Sequence, residues 1–388
     1  MKEFSKSNQY LLKSAYFTIF AQGFYLLIIG AALPSLRAEY HLDYKISGAM
    51  MSVQSVGYLV SGAVFGILPR YFDVKKVYIL LGNLAFAGLL IMTLTGNPIL
   101  LLISMGLTGV SKGCVGNFNN QIVSNLTGND AGKLNFLQAC FAMGACAAPL
   151  TAVLCGADWR LAFRVVIAAG VANLLFSLRM KIGPDAYNVS GKEAADFGFF
   201  KKKVFWICAL FLSCYMAIEA CVMGFLVTYY VDTGMTGESG ARFYSTLLWV
   251  ALLIGRLESA RLSAKIKPYI LLTAMTAGAA VSFTLFIFGQ LPVLIVIGSV
   301  GLGLFMAGMY GTAVGDVGNL LEKYPMCMGV FIVIPGIVAT VIPGAVGIVA
   351  DAVGIRKGLM VLYILITLLF VISFINIRFH HSASKEIV

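Results

Sequence analysis

Long apolar stretches alternate with short polar or basic segments along the whole chain. A helix needs about 20 apolar residues to cross the roughly 30 Å hydrocarbon core of a bilayer, because its backbone hydrogen-bonding groups must be satisfied within the segment. Several stretches reach or approach this length. The pattern therefore predicts twelve membrane-spanning helices, at residues 14–36, 46–68, 77–94, 98–119, 134–155, 161–178, 204–230, 243–257, 268–288, 291–312, 328–349 and 358–377.

The predicted spans form two sets of six around one basic stretch, residues 179–203. Hydrophobic residues make up 60% of the 388 residues and charged residues only 12%, so no room remains for a soluble domain of ordinary size. We expect an all-α integral membrane protein with twelve transmembrane helices in two pseudo-symmetric six-helix bundles. The expected division is residues 1–178, a cytoplasmic basic linker at 179–203, and residues 204–388.

Two spans carry similar glycine-rich sequences, as an internal repeat would produce. The fourth span contains GLTGVSKGCVGNFNN and the tenth contains GLGLFMAGMYGTAVGD. Glycines spaced by four residues let helix backbones approach closely. We expect such approaches at Gly109 with Gly113 and at Gly311 with Gly315. Static packing and a sliding seam are both open interpretations of these glycines.

The distribution of Lys and Arg predicts the orientation of the chain. If the N-terminus is cytoplasmic, most of the 28 Lys and Arg residues fall in cytoplasmic segments, as the positive-inside rule requires. In this count Arg242 belongs to an outer loop and Arg256 to the cytoplasmic segment after the eighth span. We expect a multi-pass protein of the plasma (inner) membrane with both termini in the cytoplasm. Topology and anionic inner-leaflet lipid then explain the net charge of +11, which does not indicate nucleic-acid binding.

Catalytic and metal-binding patterns are missing from the sequence. It contains no glycine loop ending in Lys-Ser/Thr, no His-Glu-x-x-His, and only three histidines, all outside the predicted spans. The eight cysteines lie in or beside spans without paired metal spacing, so we expect free thiols that serve as packing residues. We therefore expect no enzyme activity, no cofactor and no metal site, and any work done by the protein would draw on a gradient rather than on ATP.

Two cytoplasmic loops carry the first resemblance to a known family. Residues 66–76, GILPRYFDVKK, resemble the major facilitator superfamily loop signature G-x-L-x-D-R-x-G-R-K/R, and residues 260–267 resemble its second-half echo. Arg70 stands where the family has its gating aspartate, and Asp73 lies three positions further on. The resemblance implies gating residues at Arg70 and Asp73. Asp316, which closes the tenth span, is expected to be a cytoplasmic-end gate or a cap.

A closer resemblance links the fifth and seventh spans to the fucose, galactose and glucose proton symporters of that superfamily. Residues 134–149, LNFLQACFAMGACAAP, are similar to the branch's L-N-L-L-H-x-x-F-G-x-G-A-x-x-G-P, with Gln138 in place of the histidine. The seventh span resembles Y-x-G-x-E-x-x-x-x-x-F-x-x-x-Y, which places the branch's membrane carboxylate at Glu219. The resemblance implies secondary active transport by alternating access around a cavity lined by spans 1, 4, 7 and 10. It also implies a small polar solute, a sugar or sugar derivative, with proton coupling.

Two ionisable side chains lie near the middle of predicted spans, where an unpaired charge is costly. Glu219 is a candidate for proton coupling, and the alternative is a permanent ion pair with Lys112 that only fixes helix packing. Lys112 has three open roles: counter-ion of Glu219, anchor for an anionic substrate, or a side chain that extends to the cytoplasmic surface.

Polar and aromatic residues around these charges suit a hydroxyl-rich ligand, because amides donate and accept hydrogen bonds and aromatic faces suit the C–H surface of a sugar ring. We expect a monomer with a small-molecule substrate, membrane lipid and protons as partners. The alternatives are a facilitator or symporter of a small organic anion, a multidrug-type exporter, and a sensor that transports nothing. The predicted substrate-binding residues are Gln22, Lys112, Asn117, Asn120, Asn135, Gln138, Tyr215, Trp249 and Tyr310.

Overall fold

The computed structural model describes most of the chain as α-helix, and no strand occurs among the described residues. These are residues 6–68, 71–127, 131–156, 158–183, 186–187, 198–263, 265–317, 320, 324 and 327–385. A short 3-10 helix, Gly198–Lys201, precedes the second half. The α-helices are α1 (Lys6–Tyr40), α2 (Tyr44–Ile67), α3 (Val74–Gly82), α4 (Leu84–Leu94), α5 (Pro98–Thr127), α6 (Ala131–Leu154), α7 (Trp159–Arg179), α8 (Lys203–Asp232), α9 (Glu238–Ser263), α10 (Pro268–Phe288), α11 (Pro292–Met306), α12 (Met309–Asp316), α13 (Cys327–Val353), α14 (Ile355–Met360) and α15 (Leu362–Lys385).

These helices account for all the predicted spans. Within the described residues, 10 helices or consecutive helix pairs are long and apolar enough to cross a membrane. The other two predicted spans coincide with the long helices α2 and α9. The prediction of an all-α, multi-pass membrane protein is confirmed.

Some predicted spans consist of two consecutive helices rather than one. The third span breaks at Asn83, which ends α3 and begins α4. The Asn83 side chain donates to the Ile79 carbonyl oxygen (2.8 Å) and accepts from Asn173 Nδ2 (3.1 Å). An asparagine side chain that bonds to nearby backbone competes with the helical hydrogen-bond ladder, which gives a local reason for the break. The tenth span breaks between Met306 and Met309, where α11 gives way to α12.

The chain forms two compact units. Unit 1 comprises Met1–Glu193 and Glu238–Thr246, and unit 2 comprises Ala194–Gly237 and Leu247–Val388. The main boundary falls inside the predicted linker at residues 179–203. Helix α9 begins in unit 1 and ends in unit 2, so one helix belongs to both.

Glycines set the helix spacing in unit 1. A Cβ at Gly109 of α5 would overlap the carbonyl oxygen of Gln54 in α2, and a Cβ at Gly113 would lie 2.8 Å from the Ser61 Cβ. Small residues permit such contacts in a bilayer, where burial from water does not drive helix association. The close approach predicted at Gly109 and Gly113 is confirmed.

Unit 2 has a comparable glycine contact at a different place from the predicted one. A Cβ at Gly255 of α9 would overlap the carbonyl oxygen of Leu304 in α11. At Gly311 and Gly315 of α12, by contrast, a Cβ would meet no described atom within 4 Å. The close approach expected at Gly311 and Gly315 is therefore wrong, because these glycines face open space in the described structure.

Arg242 is held in unit 1 by three backbone carbonyl groups. Its side chain is only 1% exposed. Nε donates to the carbonyl oxygen of Ala31 in α1 (3.1 Å), and Nη1 donates to those of Ala152 in α6 (3.2 Å) and Gly156 just after it (2.7 Å). The expectation that Arg242 lies in an outer loop is wrong, because α9 begins four residues earlier, at Glu238.

The second terminal nitrogen of Arg242 completes this arrangement. Nη2 donates to Ser35 Oγ (2.7 Å) and to Glu238 Oε2 (2.6 Å), and Ser35 also donates to Glu238. All five N–H donors of the guanidinium therefore have an acceptor. We call Arg242 and these five partners the Arg242 anchor. A buried cation with every donor matched is strongly stabilised in its place.

Candidate functional site

In unit 1, α1 and α5 bring Gln22 and Lys112 together. Gln22 is 5% exposed, and its Nε2 donates to the backbone carbonyl oxygen of Lys112 (2.9 Å). The Gln22 Oε1 atom is buried and has no hydrogen-bond partner among the described residues. An acceptor left unmatched in a low-dielectric interior favours a ligand that carries a donor. Gln22 is therefore well suited to a hydroxyl group of a solute.

The Lys112 side chain is partly buried and lies beside an aromatic ring. Its Nζ is 5.1 Å from the centroid of the Tyr58 ring on α2. A cation over an aromatic face is stabilised by about 0.5–2 kcal/mol, more as it is desolvated. This contact holds the ammonium group within unit 1. The ion pair of Lys112 with Glu219 stays a prediction.

The predicted asparagines and glutamine of unit 1 are only partly connected. Asn120 donates to the Gly116 carbonyl oxygen (2.8 Å) and accepts a long hydrogen bond from Gln138 Nε2 (3.5 Å). Gln138 is exposed and Asn117 is partly buried. The side chain of Asn135 lies outside the described residues. A role in substrate binding stays a prediction for each of them.

A buried polar pair lies in the same unit, and sequence reasoning counted only one member of it, Asn119, among the polar residues near the charges, without selecting it as a binding residue. Asn119 is fully buried, and its Nδ2 donates to Thr18 Oγ1 (2.7 Å) while its Oδ1 has no described partner. Its place between polar residues at the end of the fourth span was the available signal. The pair ties α5 to α1 and leaves one more unmatched acceptor in unit 1.

In unit 2, Tyr215 and Glu219 meet on one face of α8. They are four residues apart, the spacing at which side chains of a helix are neighbours. The Tyr215 hydroxyl donates to Glu219 Oε1 (2.9 Å). Tyr215 is 3% exposed and Glu219 is partly buried. The carboxyl group thus lies near the middle of a 30-residue helix with a hydroxyl group as its described partner.

Arg256 is a charged residue of unit 2 that sequence reasoning did not select as a candidate. It lies close enough to Tyr215 for its charge to act on the Tyr215 hydroxyl. Arg256 was assigned to the cytoplasmic segment, but α9 continues to Ser263 and places it seven residues before the helix ends. A charged residue at the end of an apolar stretch was the available signal. Trp249 of the same helix is 4% exposed.

The structure describes two of the three predicted gating residues, Asp73 and Asp316. Arg70 lies outside the described residues. Asp73 caps the start of α3, where its carboxylate accepts from the Lys76 backbone N–H (3.0 Å). The Asp316 side chain is 6% exposed at the end of α12, and its Oδ2 accepts from Asn376 Nδ2 (2.7 Å) and contacts His380 Nε2 (3.2 Å) on α15. A gating role stays a prediction for all three.

The thiols and acids offer no metal site among the described residues, where no group of three or more His, Cys, Asp or Glu side chains could hold an ion. The prediction of free cysteines is confirmed for all eight.

The sequence profile described as Major Facilitator Superfamily matches residues 15–343, which is most of the chain. The chain belongs to the Major Facilitator Superfamily. Members of this superfamily are transporters, so this member is a multi-pass membrane transporter, and the predicted fold class is confirmed. None of the curated proteins compared with the chain matches it.

Solved structures of other transporters share this major facilitator fold. A bacterial homolog of the human lysosomal transporter Spinster, inward-facing and occupied, has a TM-score of 0.82 at 13% identity and covers 97% of this chain and 98% of its own. A mutant of the nucleoside transporter NupG has a TM-score of 0.80 at 16% identity, and the match covers 96% of this chain and 99% of the NupG chain. A mutant of the E. coli fucose:proton symporter FucP has a TM-score of 0.65 at 19% identity, and the match covers 95% of this chain and 99% of the FucP chain. At these identities the likeness shows the fold alone.

Proposed function

We propose that this member of the superfamily is a secondary active transporter of a small polar solute, a sugar or sugar derivative, with proton coupling at Glu219. It acts by alternating access as a monomer in the plasma (inner) membrane, with both termini in the cytoplasm. The observation that carries the proposal is the Glu219 carboxyl group, partly buried near the middle of α8 and hydrogen-bonded to Tyr215 (2.9 Å).

A carboxyl group in this setting suits proton coupling for a physical reason. An ionised carboxylate inside a membrane protein is costly unless it is paired, hydrated or neutralised by a proton. The hydroxyl of Tyr215 donates to one oxygen of Glu219, and partial exposure gives the group access to the proton. A change of surroundings during the transport cycle would then change whether Glu219 holds its proton.

Polar atoms of unit 1 support a hydroxyl-rich solute. The unmatched Oε1 of Gln22 is an acceptor for a hydroxyl group, and the same side chain contacts the backbone of Lys112, whose ammonium group is a donor. The similar structures agree with this solute class, since NupG is a nucleoside transporter and FucP a fucose:proton symporter. Nucleosides and fucose are both small and rich in hydroxyl groups.

The test is uptake of a radiolabelled hexose and a radiolabelled hexuronate into proteoliposomes, with and without an inward proton gradient. Wild type is compared with Glu219→Gln and with Glu258→Gln, a control whose carboxylate is about half exposed (49%) and paired with Arg261. We expect the gradient to drive accumulation in wild type and in Glu258→Gln. Glu219→Gln should lose accumulation and still exchange labelled for unlabelled solute, because only the protonation step is removed.

Two results would contradict the proposal. Equilibration that ignores the gradient and is equal in all three proteins would make the protein a facilitator, with Glu219 a packing residue. Competition by lipophilic cations, with no effect of sugars, would make it a multidrug-type exporter.

A further inference from the structure

Two of the three arginines of α9, Arg242 and Arg256, differ in how completely their hydrogen-bond donors are matched. Arg242 has an acceptor for all five of its N–H donors. Arg256, fourteen residues later on the same helix, has a buried Nη1 atom with no hydrogen-bond partner among the described residues. A buried donor without an acceptor is costly, and more so when it is charged. The arrangement around Arg256 is therefore incomplete without an acceptor from elsewhere.

Helix packing fixes the backbone that carries this guanidinium group. The neighbouring Gly255 packs against the Leu304 carbonyl of α11, so α9 has no room to shift toward α11. Ser259 donates to the Gly255 carbonyl oxygen and is 6% exposed. Glu258, the nearest carboxylate in sequence, points away, since it pairs with the exposed Arg261. Arg256 thus stands on a rigid element with no carboxylate of its own helix to satisfy it.

Tyr215 lies within electrostatic reach of both Arg256 and Tyr310 in unit 2. The Arg256 charge acts on the Tyr215 hydroxyl, which is hydrogen-bonded to Glu219 Oε1 (2.9 Å). Arg256 and Glu219 form no ion pair within 4 Å in the described structure. Tyr215 thus contacts the Glu219 carboxyl group and lies within reach of the Arg256 charge, while Arg256 and Glu219 are not paired.

We infer that Arg256 and Tyr215 form a binding site for the carboxylate group of the transported solute, so that the solute is a sugar acid or a similar small organic acid. A guanidinium group binds a carboxylate with two parallel hydrogen bonds, which would supply the acceptor that Nη1 lacks. A carboxylate is favoured over a phosphate monoester because one proton on Glu219 offsets its single charge, whereas a phosphate carries about −1.5 to −2. This inference rests on the proposed proton coupling at Glu219.

The site also gives a reason for coupling. An ionised Glu219 would compete with the solute carboxylate for the guanidinium group of Arg256. It would also repel the solute carboxylate, since both groups are negatively charged. A protonated Glu219 would leave Arg256 available to the solute. One proton and one carboxylate then move together without net charge, the proton entering on Glu219 from one side and leaving to water on the other.

The first experiment compares matched acidic and neutral solutes: glucuronate with glucose, and gluconate with sorbitol. Each is tested in proteoliposomes for proton-driven uptake and for exchange without a gradient. The proteins are wild type, Arg256→Gln, Arg256→Lys and the control Arg261→Gln, whose guanidinium group is 72% exposed. Thermal stabilisation of the detergent-solubilised protein by each solute measures binding independently of transport.

We expect wild type and Arg261→Gln to exchange at least one of the acids and to be stabilised by it more than by its neutral partner. Arg256→Gln should weaken exchange and binding of the acid by about 10-fold or more, which corresponds to the loss of charged hydrogen bonds. Arg256→Lys should keep part of both, because it retains the charge without the two parallel donors. Uptake of the acid in wild type should not respond to an imposed membrane potential.

The outcomes separate this inference from the proposed function. If a neutral solute accumulates with the gradient while neither acid binds or competes, the inference is overturned and the proposed function stands. Equal exchange of the acid by wild type and a folded Arg256→Gln would also overturn it. If no solute of either kind responds to the proton gradient and Glu219→Gln behaves as wild type, the proposed function itself fails.

Discussion

Replacement of Arg242 tests how much the Arg242 anchor contributes to the stability of unit 1. In Arg242→Ala, five acceptors each lose a donor at once: three backbone carbonyl oxygens, the Ser35 hydroxyl and the Glu238 carboxylate. Removal of one partner from a buried charged network costs about 3–5 kcal/mol. A domain of 150–250 residues loses about 2–4 °C of melting temperature per kcal/mol, so we expect a decrease on the order of 10 °C.

The assay is thermal unfolding of the purified protein in detergent, monitored by tryptophan fluorescence and by size exclusion after heating. Arg261→Ala is the matched control, because it removes an arginine from the same helix whose side chain is 72% exposed and whose ion pair is worth about 1 kcal/mol or less. Arg242→Lys should lie between wild type and Arg242→Ala, since it keeps the charge with three donors. A melting temperature of Arg242→Ala within about 2 °C of the Arg261→Ala value would refute the reasoning.

Two further predictions concern packing and a buried acid. Gly109→Ala should reduce the yield of folded protein and lower its melting temperature, because the new methyl group would overlap backbone of α2. The control Gly116→Ala should lower neither, because a Cβ there lies 3.8 Å from its nearest neighbour. Equal melting curves for the two variants would contradict the glycine argument. Asp316→Ala should cost about 1.5–3 kcal/mol, since its buried carboxylate accepts from α15, whereas the exposed Asp351→Ala should cost well below 1 kcal/mol. Denaturation of both pairs under identical conditions checks these values, and a smaller effect at Asp316 than at Asp351 would show that the contact with α15 contributes little.

The fold was predictable because membrane spans are determined mainly by length and apolarity, which can be counted along one chain. Helix breaks were harder, since the break at Asn83 depends on the hydrogen bond that its side chain makes to the Ile79 carbonyl oxygen, and an asparagine within a span need not make that bond. The contact of Tyr215 with Glu219 follows from their spacing of four residues. The surroundings of that pair did not follow, because Arg256 comes from α9 and its charge marked it as a loop residue.

Both errors at α9 have the same physical origin. Apolarity alone placed the eighth span at residues 243–257, which excludes Arg242 and ends one residue after Arg256, whereas the helix extends over Glu238–Ser263. Arg242 remains helical and buried because backbone carbonyl groups of unit 1 accept its donors. Sequence alone does not show those acceptors, since they belong to the backbone and carry no residue signature.

The membership of α9 in both units has a consequence for synthesis. The first 193 residues are synthesised before Arg242, yet the carbonyl oxygens of Ala31, Ala152 and Gly156 each accept a hydrogen bond from that side chain. The first six predicted spans are therefore inserted as an incomplete unit. Unit 1 reaches its final hydrogen bonding only when a residue from the second half of the gene returns to it. Expression of residues 1–193 as a separate fragment would give unit 1 without the Arg242 anchor.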